Sequence, residues 1–337
     1  MITASNSSAH DVAAAGGVSW PAVVCPLDGG LLDTDASHLA CAGGHLWDVI
    51  AGIPRMIPSA GNYADAFGLQ WQTYRKTQLD SYTRTTLSRD RARRCVGAET
   101  WRILQERPVN VLEVGCGAGR FTEVLLATQA LVTSVDYSSA VDANQQSFPQ
   151  TERHRIFQAD VRQLPFMPGQ FDLVFCLGVI QHTPDPEQTI RKLYEQVRPG
   201  GSLVIDHYTW SLSEVTKSAT LVRMVLSRTR PESGLRWSRR IVNAFLPLHK
   251  AARHSRIAQA LLSRVSPVLS YYQTLPLSDE LQREWALLDT HDSLTDRYKR
   301  FRTKGQILRT LTELGAERIW CEYGGNGVEA RCRRPVR

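Results

Sequence analysis

The chain has 337 residues, 42% of them hydrophobic and 22% charged, with a formal net charge of +7. This composition excludes the low hydrophobicity of disordered chains, and no stretch reaches the roughly 18 apolar residues that a membrane-spanning helix needs. The seven scattered cysteines do not resemble a secreted disulfide framework. Residues 1–18 are rich in Ser, Ala and Gly and lack the basic start and apolar run of a signal peptide. We therefore predict a flexible N-terminus and a cytoplasmic protein.

Residues 19–60 carry two short motifs in which metal-ligand side chains accompany glycines. The first is CPLDGG, which begins at Cys25 and includes Asp28, and the second is CAGGH, which runs from Cys41 to His45. Zinc takes four soft or borderline ligands on two tight turns, so these four residues are the candidate metal ligands, and the segment resembles a small zinc ribbon. Aspartate is rarer than cysteine in structural zinc sites. A metal-free β-hairpin head is therefore kept as the alternative.

Residues 61–105 are predicted to form helices that lead into the core of the fold. Within them, Phe67 and Trp71 are four positions apart and would share one apolar helix face. On this pattern alone the two aromatic residues are core-packing residues.

The most informative segment is VLEVGCGAGRFT over residues 111–122, where an apolar run ends in Glu113 and turns through three glycines into a helix. Glycine is needed where a strand turns sharply and a ligand must press against bare backbone. A dinucleotide fingerprint has its third glycine three residues after the second. Here that position is Arg120, and the third glycine comes early, at Gly119. The spacing therefore disfavours NAD.

Three later segments follow the same plan of an apolar strand that ends at a polar side chain. LVTSVD ends at Asp136, IFQAD ends at Asp160, and FDLVFCLGVIQH ends at His182 before a TPDP breaker. A fifth strand, GGSLVIDHY, follows an RPGG turn. Together with the glycine loop, these ordered segments between Val109 and Asp206 resemble the motifs of class I S-adenosylmethionine (SAM) methyltransferases.

The resemblance implies a Rossmann-like, doubly wound α/β sheet of seven strands over 106–208, with SAM as cofactor. It implies that Asp136 binds the ribose hydroxyls and Asp160 the adenine amino group. In ribbon-headed bacterial members a similar FGxQW segment lies over the cofactor, which implies a lid at 61–105 that includes Trp71. The implied cofactor-binding residues are Gln70, Arg91, Glu113, Gly115, Cys116, Gly117, Asp136, Tyr137, Asp160, Val161 and Leu177.

A long segment, 209–302, separates the fifth strand from the last core helix, although a minimal fold needs only a short connection there. We predict a helical insertion that caps the acceptor site, with residues 303–337 returning to the core sheet. The stretch Lys217 to Arg264 contains eleven Lys and Arg residues and one acid, Glu232. Basic helices of this kind suit a solvated cap, an anionic acceptor, an anionic membrane surface or RNA.

Methyl transfer from a sulfonium needs a nucleophile held in line with the methyl group and a base that removes its proton. Histidine suits this role because it titrates near neutrality. By their position at strand ends, His182, Asp206 and His207 are the candidate catalytic residues, and His291 is a further candidate. A purely structural role is the alternative for each histidine.

The expected acceptor follows partly from absent motifs. No Asn-Pro-Pro-Tyr or Asp-Pro-Pro-Tyr follows the fourth strand, and amino-methylating families use that motif to clamp a planar nitrogen. The resemblance to ribbon-headed enzymes therefore implies an O-methyltransferase acting on a sugar or secondary-metabolite hydroxyl. The alternatives are a ribosomal RNA base methyltransferase and a non-catalytic SAM-binding scaffold. DNA is not an expected partner, RNA is disfavoured, and no oligomeric state is predicted.

Overall fold

The computed structural model describes residues 19–34, 37–57, 64–210 and 218–336. The predicted flexible segment 1–18 and the start of the insertion at 211–217 lie outside the described residues. The strands are β1 (Leu32–Thr34), β2 (His38–Cys41), β3 (Leu46–Ile50), β4 (Ile53–Met56), β5 (Asn110–Val114), β6 (Leu131–Asp136), β7 (His154–Ala159), β8 (Phe171–Cys176), β9 (Val197–Tyr208), β10 (Glu317–Gly324) and β11 (Gly327–Arg333).

The helices of the core and of its N-terminal approach are α1 (Asp65–Thr73), α2 (Asp80–Thr83), α3 (Leu87–Val96), α4 (Ala98–Glu106), α5 (Thr122–Leu126), α6 (Ala140–Ser147) and α7 (Pro186–Gln196). Those of the insertion are α8 (Ser218–Leu226), α9 (Pro231–Ala251), α10 (Arg256–Val265) and α11 (Asp279–Thr295), and α12 (Lys304–Glu313) returns to the core. A 3₁₀ turn covers Ile180–His182. Among the described helices, none has both the length and the apolar composition to cross a membrane.

The core is a doubly wound sheet, as predicted. Its strands run in the order β7-β6-β5-β8-β9-β11-β10. The first five are parallel to one another, and β11 pairs antiparallel with β9. From β5 the chain first builds outward through β6 and β7, then crosses to β8 on the other side. In such sheets ligands bind in the crevice beyond the carboxyl ends of the strands, where the order switches.

The N-terminal head extends this sheet instead of standing apart from it. Strand β4 pairs in parallel with β7 through Arg55 with Gln158 and Met56 with Ala159. The described sheet therefore has eleven strands, in the order β1-β2-β3-β4 followed by the seven core strands, four more than the resemblance implied. The head also shares the main hydrophobic core, since Trp47 packs in the same cluster as core side chains.

Helices from two distant parts of the sequence cover the switch point. Helix α1 lies against α6 of the core and against α9 and α11 of the insertion. Its Trp71 packs on a cluster that includes Val242 and Leu287. The predicted lid and the predicted cap thus meet each other over one end of the sheet.

Candidate active site

A cavity of about 800 Å³ opens at the switch point of the sheet. The glycine loop after β5 and the residue after β6 form one side of it, and α1 and α11 form the other. Most of the predicted cofactor residues line its wall: Gln70, Arg91, Gly115, Cys116, Gly117, Asp136, Tyr137, Val161 and Leu177.

The glycine loop presents bare backbone to this cavity. Gly115 and Gly117 have φ values of 75° and 52°, in the left-handed region that favours glycine. A Cβ atom on Gly117 would lie 3.0 Å from Cε2 of Trp71. The indole of the predicted lid therefore closes directly over the loop, and a larger residue than glycine would push it away.

Asp136 stands where the resemblance requires a carboxylate. Its Oδ2 accepts a hydrogen bond from Gly117 N at 3.0 Å, and its Oδ1 accepts from Ser138 N and Ser138 Oγ at 2.8 and 2.7 Å. Burial raises the pKa of this carboxyl. A carboxylate offers about four lone-pair sites, so it retains capacity for a ligand hydroxyl.

Two predicted cofactor ligands, Glu113 and Asp160, lie outside the cavity wall and have protein partners. Glu113 is fully buried and accepts hydrogen bonds from Thr122 Oγ1 at 2.6 Å and Ser134 Oγ at 2.8 Å, while burial raises its pKa to about 7. Asp160 forms an ion pair with Arg162 at 2.6 Å. Glu113 thus links β5 to β6 and α5, Asp160 is bonded within its own loop, and a direct contact of either with a cofactor stays a prediction.

Arg120 also lines the cavity. Its position in the sequence served only to exclude a dinucleotide-binding motif and predicted no role for its side chain. It bonds the neutral groups Ser88 Oγ and Gln78 Oε1, both at 3.1 Å, and packs over the rings of Phe121 and Trp285. Burial lowers its pKa to about 10. Among the described residues no carboxylate forms an ion pair with it. A buried cation without a counter-ion is costly, so this point of the cavity suits an anionic ligand group.

Asp206, a predicted catalytic residue, is buried beneath the cavity wall. Its Oδ2 pairs with Arg91, and its Oδ1 accepts a hydrogen bond from Gly178 N at 2.6 Å. Arg91 also pairs with Glu329 at 3.4 Å. Because both oxygens of Asp206 are occupied, it is corrected from a candidate base to a residue that positions Arg91.

His207 is also corrected. It follows the same strand, but successive strand residues point to opposite faces, and Tyr208 is the one that lines the cavity. The Nδ1 atom of His207 lies 2.9 Å from the carbonyl oxygen of Tyr208, and burial lowers its pKa to about 4. The further candidate His291 bonds Gln70 Oε1 at 2.7 Å and likewise has a pKa lowered by burial to about 4.

His182 is the predicted base that the structure does place in the cavity. Its Nδ1 lies 3.1 Å from the carbonyl oxygen of Tyr298 and 3.1 Å from Asp296 Oδ2. Its Nε2 lies 4.0 Å from Asp292 Oδ1. Burial opposes charge on the ring, but Asp292 and Asp296 outweigh it and hold the pKa of His182 above its usual value.

Aromatic rings and one cation complete this environment. Phe67 of α1 contacts the His182 ring edge to face at 5.1 Å, and Tyr208 does so at 5.4 Å. Arg223 of α8 donates from Nε to Asp296 Oδ1 at 2.7 Å. The insertion therefore supplies both the carboxylates around His182 and a cation that balances them.

The part of the cavity wall beside Arg120 that the insertion supplies is aromatic and acidic. Tyr271 donates its hydroxyl to Asp289, and its ring contacts Trp285 at 5.6 Å. Burial raises the pKa of Asp289 to about 7. These residues come from the insertion and carry no sequence motif, so sequence reasoning did not find them.

The four predicted metal ligands of the head converge on one point. The ligand atoms of Cys25, Asp28, Cys41 and His45 all lie within 4.8 Å of one another. Cys41 Sγ is 3.2 Å from Asp28 Oδ2 and 3.3 Å from His45 Nδ1. Backbone donation from Gly30 lowers the pKa of Asp28 to about 2. A Cβ on Gly43 would lie 2.1 Å from Asp28 Oδ2, so the turn leaves room for this grouping.

Comparison with known proteins agrees with this geometry over part of the chain. A methyltransferase-domain family model matches residues 112–205. The chain is 39% identical over 98 residues to the ubiquinone biosynthesis O-methyltransferase of Pseudomonas putida, a match that covers 28% of this chain and 41% of that protein. A similar protein of Pseudomonas paraeruginosa is 36% identical over 104 residues, covering 28% and 42%. The chain thus spans less than half the length of these curated relatives.

One solved structure with similarity along most of the chain is the Burkholderia thailandensis 1,6-didemethyltoxoflavin-N1-methyltransferase with bound 1,6-didemethyltoxoflavin and S-adenosylhomocysteine. It is 15% identical, with 90% of this chain and 99% of that one covered and a TM-score of 0.43. The family match, the strand order and the glycine loop coincide in the same part of the sequence. The match to the methyltransferase-domain family thus falls on the part of the chain that forms β5 to β9 and the glycine loop.

Proposed function

We propose that the protein transfers the methyl group of SAM to a hydroxyl group of a small molecule, with His182 as the general base. The observation that carries the proposal is the arrangement of the imidazole. Its Nδ1 bonds the Tyr298 carbonyl and lies 3.1 Å from Asp296 Oδ2, while its ring lines the same cavity as the glycine loop. A base oriented at one nitrogen presents the other to a substrate proton.

The residues of the cavity fit SAM as the cofactor. Asp136 is available to ribose hydroxyls, and the backbone at Gly115 and Gly117 is open to close approach. Arg120 suits the carboxylate of the methionine portion, since its guanidinium has only neutral hydrogen-bond partners. When bound, SAM supplies an electrophilic methyl group. Trp71 covers the glycine loop and helps to exclude water.

The proton chemistry rests on residues of this chain. His182 Nε2 accepts the proton of the acceptor hydroxyl as the oxygen attacks, and the imidazolium that results is stabilised by the adjacent carboxylates of Asp292 and Asp296. The Tyr298 carbonyl accepts from Nδ1 and so favours the tautomer that leaves Nε2 free to accept. Hydroxyl acceptors are favoured further because the Pseudomonas relatives are named O-methyltransferases.

We propose a sugar or related secondary-metabolite hydroxyl as the acceptor. Asp289 and Tyr271 offer hydrogen-bond partners in the cavity wall that the insertion supplies, and the ring of Trp285 offers a flat apolar surface. This mixture suits a molecule with several hydroxyl groups and an apolar face. An aromatic hydroxyl, suggested by the relatives' name, and an RNA base are the competing acceptors.

The test is incubation with methyl-labelled SAM and separated extract fractions, namely oligosaccharides, small metabolites, lipids and RNA. We expect label in the oligosaccharide or small-metabolite fraction, and no label when His182→Ala protein that still binds SAM is used. Label confined to RNA would overturn the hydroxyl acceptor. Tight SAM binding without label in any fraction would support a non-catalytic role.

We also infer that the head binds one zinc ion through Cys25, Asp28, Cys41 and His45. Convergence of the four ligand atoms supports this, and no Lys or Arg side chain forms an ion pair with Asp28 among the described residues. Metal analysis of untagged protein should find close to one equivalent of zinc, which Cys41→Ser should abolish. Less than about a tenth of an equivalent would contradict the proposal.

A further inference from the structure

Two helices of the insertion expose large apolar side chains to solvent. On α8 these are Leu221, Met224 and Val225, and on α10 they are Ile257, Leu261 and Val265; each is between 56% and 76% exposed. We call these six residues the docking face. Single exposed apolar residues are normal on a protein surface, but a contiguous group marks an interaction site.

The spacing shows that the exposure follows the helices. Ile257, Leu261 and Val265 are four residues apart and lie on one side of α10. No residue of α10 is buried, so its apolar side does not pack into the protein core. The two helices are in contact, because Ser218 Oγ donates to the carbonyl oxygen of Val265 at 2.7 Å. Their apolar stripes therefore belong to one region of the surface.

The charge of this region is strongly positive. From residue 218 to residue 264 there are ten Lys and Arg residues and a single acid, Glu232. Arg228 follows α8, and Arg256 and Arg264 lie on α10, beside the apolar stripe. Arginine at the border of an apolar helix face is typical of helices that lie in a membrane interface.

We propose that the docking face binds the surface of an anionic lipid bilayer. The six apolar side chains enter the boundary between headgroups and acyl chains, and the neighbouring arginines contact lipid phosphates. RNA would satisfy the arginines but offers no apolar partner for six aliphatic side chains. A second copy of the chain would bring two basic surfaces together. The bilayer is the partner that fits both the charge and the apolar stripes.

This surface is connected to the candidate active site by one helix. Arg223 lies about 200° around α8 from Leu221 at the helical period, so it points away from the docking face. There it pairs with Asp296, which contacts His182. Helix α8 therefore faces the proposed lipid on one side and the base of the proposed reaction on the other.

Vesicle flotation of the full chain tests the proposal. We expect the protein to float with vesicles of phosphatidylcholine mixed with phosphatidylglycerol, to bind pure phosphatidylcholine weakly, and to be partly released by salt. Val225→Ser/Leu261→Ser should lower the ratio of bound to free protein by roughly tenfold or more. Burial of each aliphatic side chain in the bilayer raises the binding constant by a factor of about that size. The control is Leu31→Ser/Val336→Ser, which changes two aliphatic residues outside the insertion that are 61% and 82% exposed and should bind like the parent.

Several outcomes would overturn the proposal. They are absence of flotation with anionic vesicles, equal flotation of the docking-face variant and the parent, and a dimer of the parent that the same variant dissociates. Preferential binding of RNA that the apolar substitutions do not change would assign the basic surface to nucleic acid instead. The result is independent of methyl transfer, since flotation needs neither SAM nor an acceptor.

Discussion

Two groups of potential metal-ligand side chains converge in this molecule, one in the head and one around His182. They differ in whether neighbouring cations balance their negative charge. The head group contains two buried thiols, of Cys25 and Cys41, with a carboxylate and an imidazole that reach solvent, since the His45 and Asp28 side chains are 37% and 33% exposed. The group around His182 contains two carboxylates and an imidazole, and the side chain of Asp296 is wholly buried.

The difference lies in the cations around each group. Asp296 is paired with Arg223 at 2.7 Å, and Lys299 also acts electrostatically on Asp292. The head group has no such partner among the described residues, and its soft ligands suit zinc. Convergence of ligand-type side chains is therefore not enough to identify a metal site. On the basis of the local charge we propose a metal in the head and a base in the cavity.

The strongest test of the cavity side of this comparison is His182→Gln. Loss of a general base lowers turnover by about 10² to 10⁴ fold, and we expect that loss in initial rates with labelled SAM while the affinity for SAM stays within about twofold of the parent. His207→Gln is the matched control, since His207 is equally buried but lies outside the cavity. Equal loss in both variants would indicate damage to the fold and contradict the assignment.

Arg223→Gln tests the cation that distinguishes the two groups. It leaves the buried Asp296 carboxylate without its partner, and breaking a buried pair typically costs about 3 kcal/mol. Chemical denaturation should show a loss of that order. Arg309→Gln, at an exposed position of α12, should change the free energy of unfolding by less than about 0.5 kcal/mol. Similar small effects in both would show that Arg223 does not balance the cavity group.

Chelation tests the head. Removal of zinc should lower the thermal midpoint of the parent, because a bound structural metal contributes its binding free energy to the folded state. Cys41→Ser protein, which lacks a ligand, should show no change on the same treatment. A midpoint of the parent that is indifferent to chelator would favour the metal-free hairpin head.

The pH dependence of methyl transfer tests the cavity group around His182, and its expected effect is the smallest of these. The pKa of His182 is raised, and the base must be neutral, so the rate should increase as the pH rises through that pKa. Asp296→Asn removes one of the raising charges, and the acidic limb of the rate profile should move to lower pH. The ion pairs of His182 stabilise the fold fully below its unfolded pKa of about 6.5, and this contribution is lost as the pH rises through the folded value.

Sequence reasoning was effective where one segment carries both the fold and the site. The glycine loop, Asp136 and His182 follow or end strands whose apolar pattern is continuous. Both the order of these segments in the fold and their position at the carboxyl ends of the strands were therefore predictable. His207 was misplaced because adjacent strand residues face opposite sides of the sheet. Asp206 was misplaced because its partner, Arg91, is 115 residues away in the sequence.

The carboxylates of the cavity were harder to predict for a different reason. Asp289, Asp292 and Asp296 lie on or at the end of one helix in an insertion that has no shared motif. Nothing in their local sequence separates them from solvent-exposed acids. Only the tertiary packing of α11 against α1, α8 and α9 brings Asp292 and Asp296 to His182 and Asp289 to the cavity wall.

Imidazole nitrogen NMR of the protein, which needs no acceptor, tests the central claim most directly. His182 should hold its proton on Nδ1 in the neutral form and titrate above the usual histidine pKa of about 6.5, and Asp296→Asn should lower that pKa. A His182 that titrates below about 6.5, or whose pKa and tautomer are unchanged by Asp296→Asn, would contradict the account of an oriented and charge-tuned base.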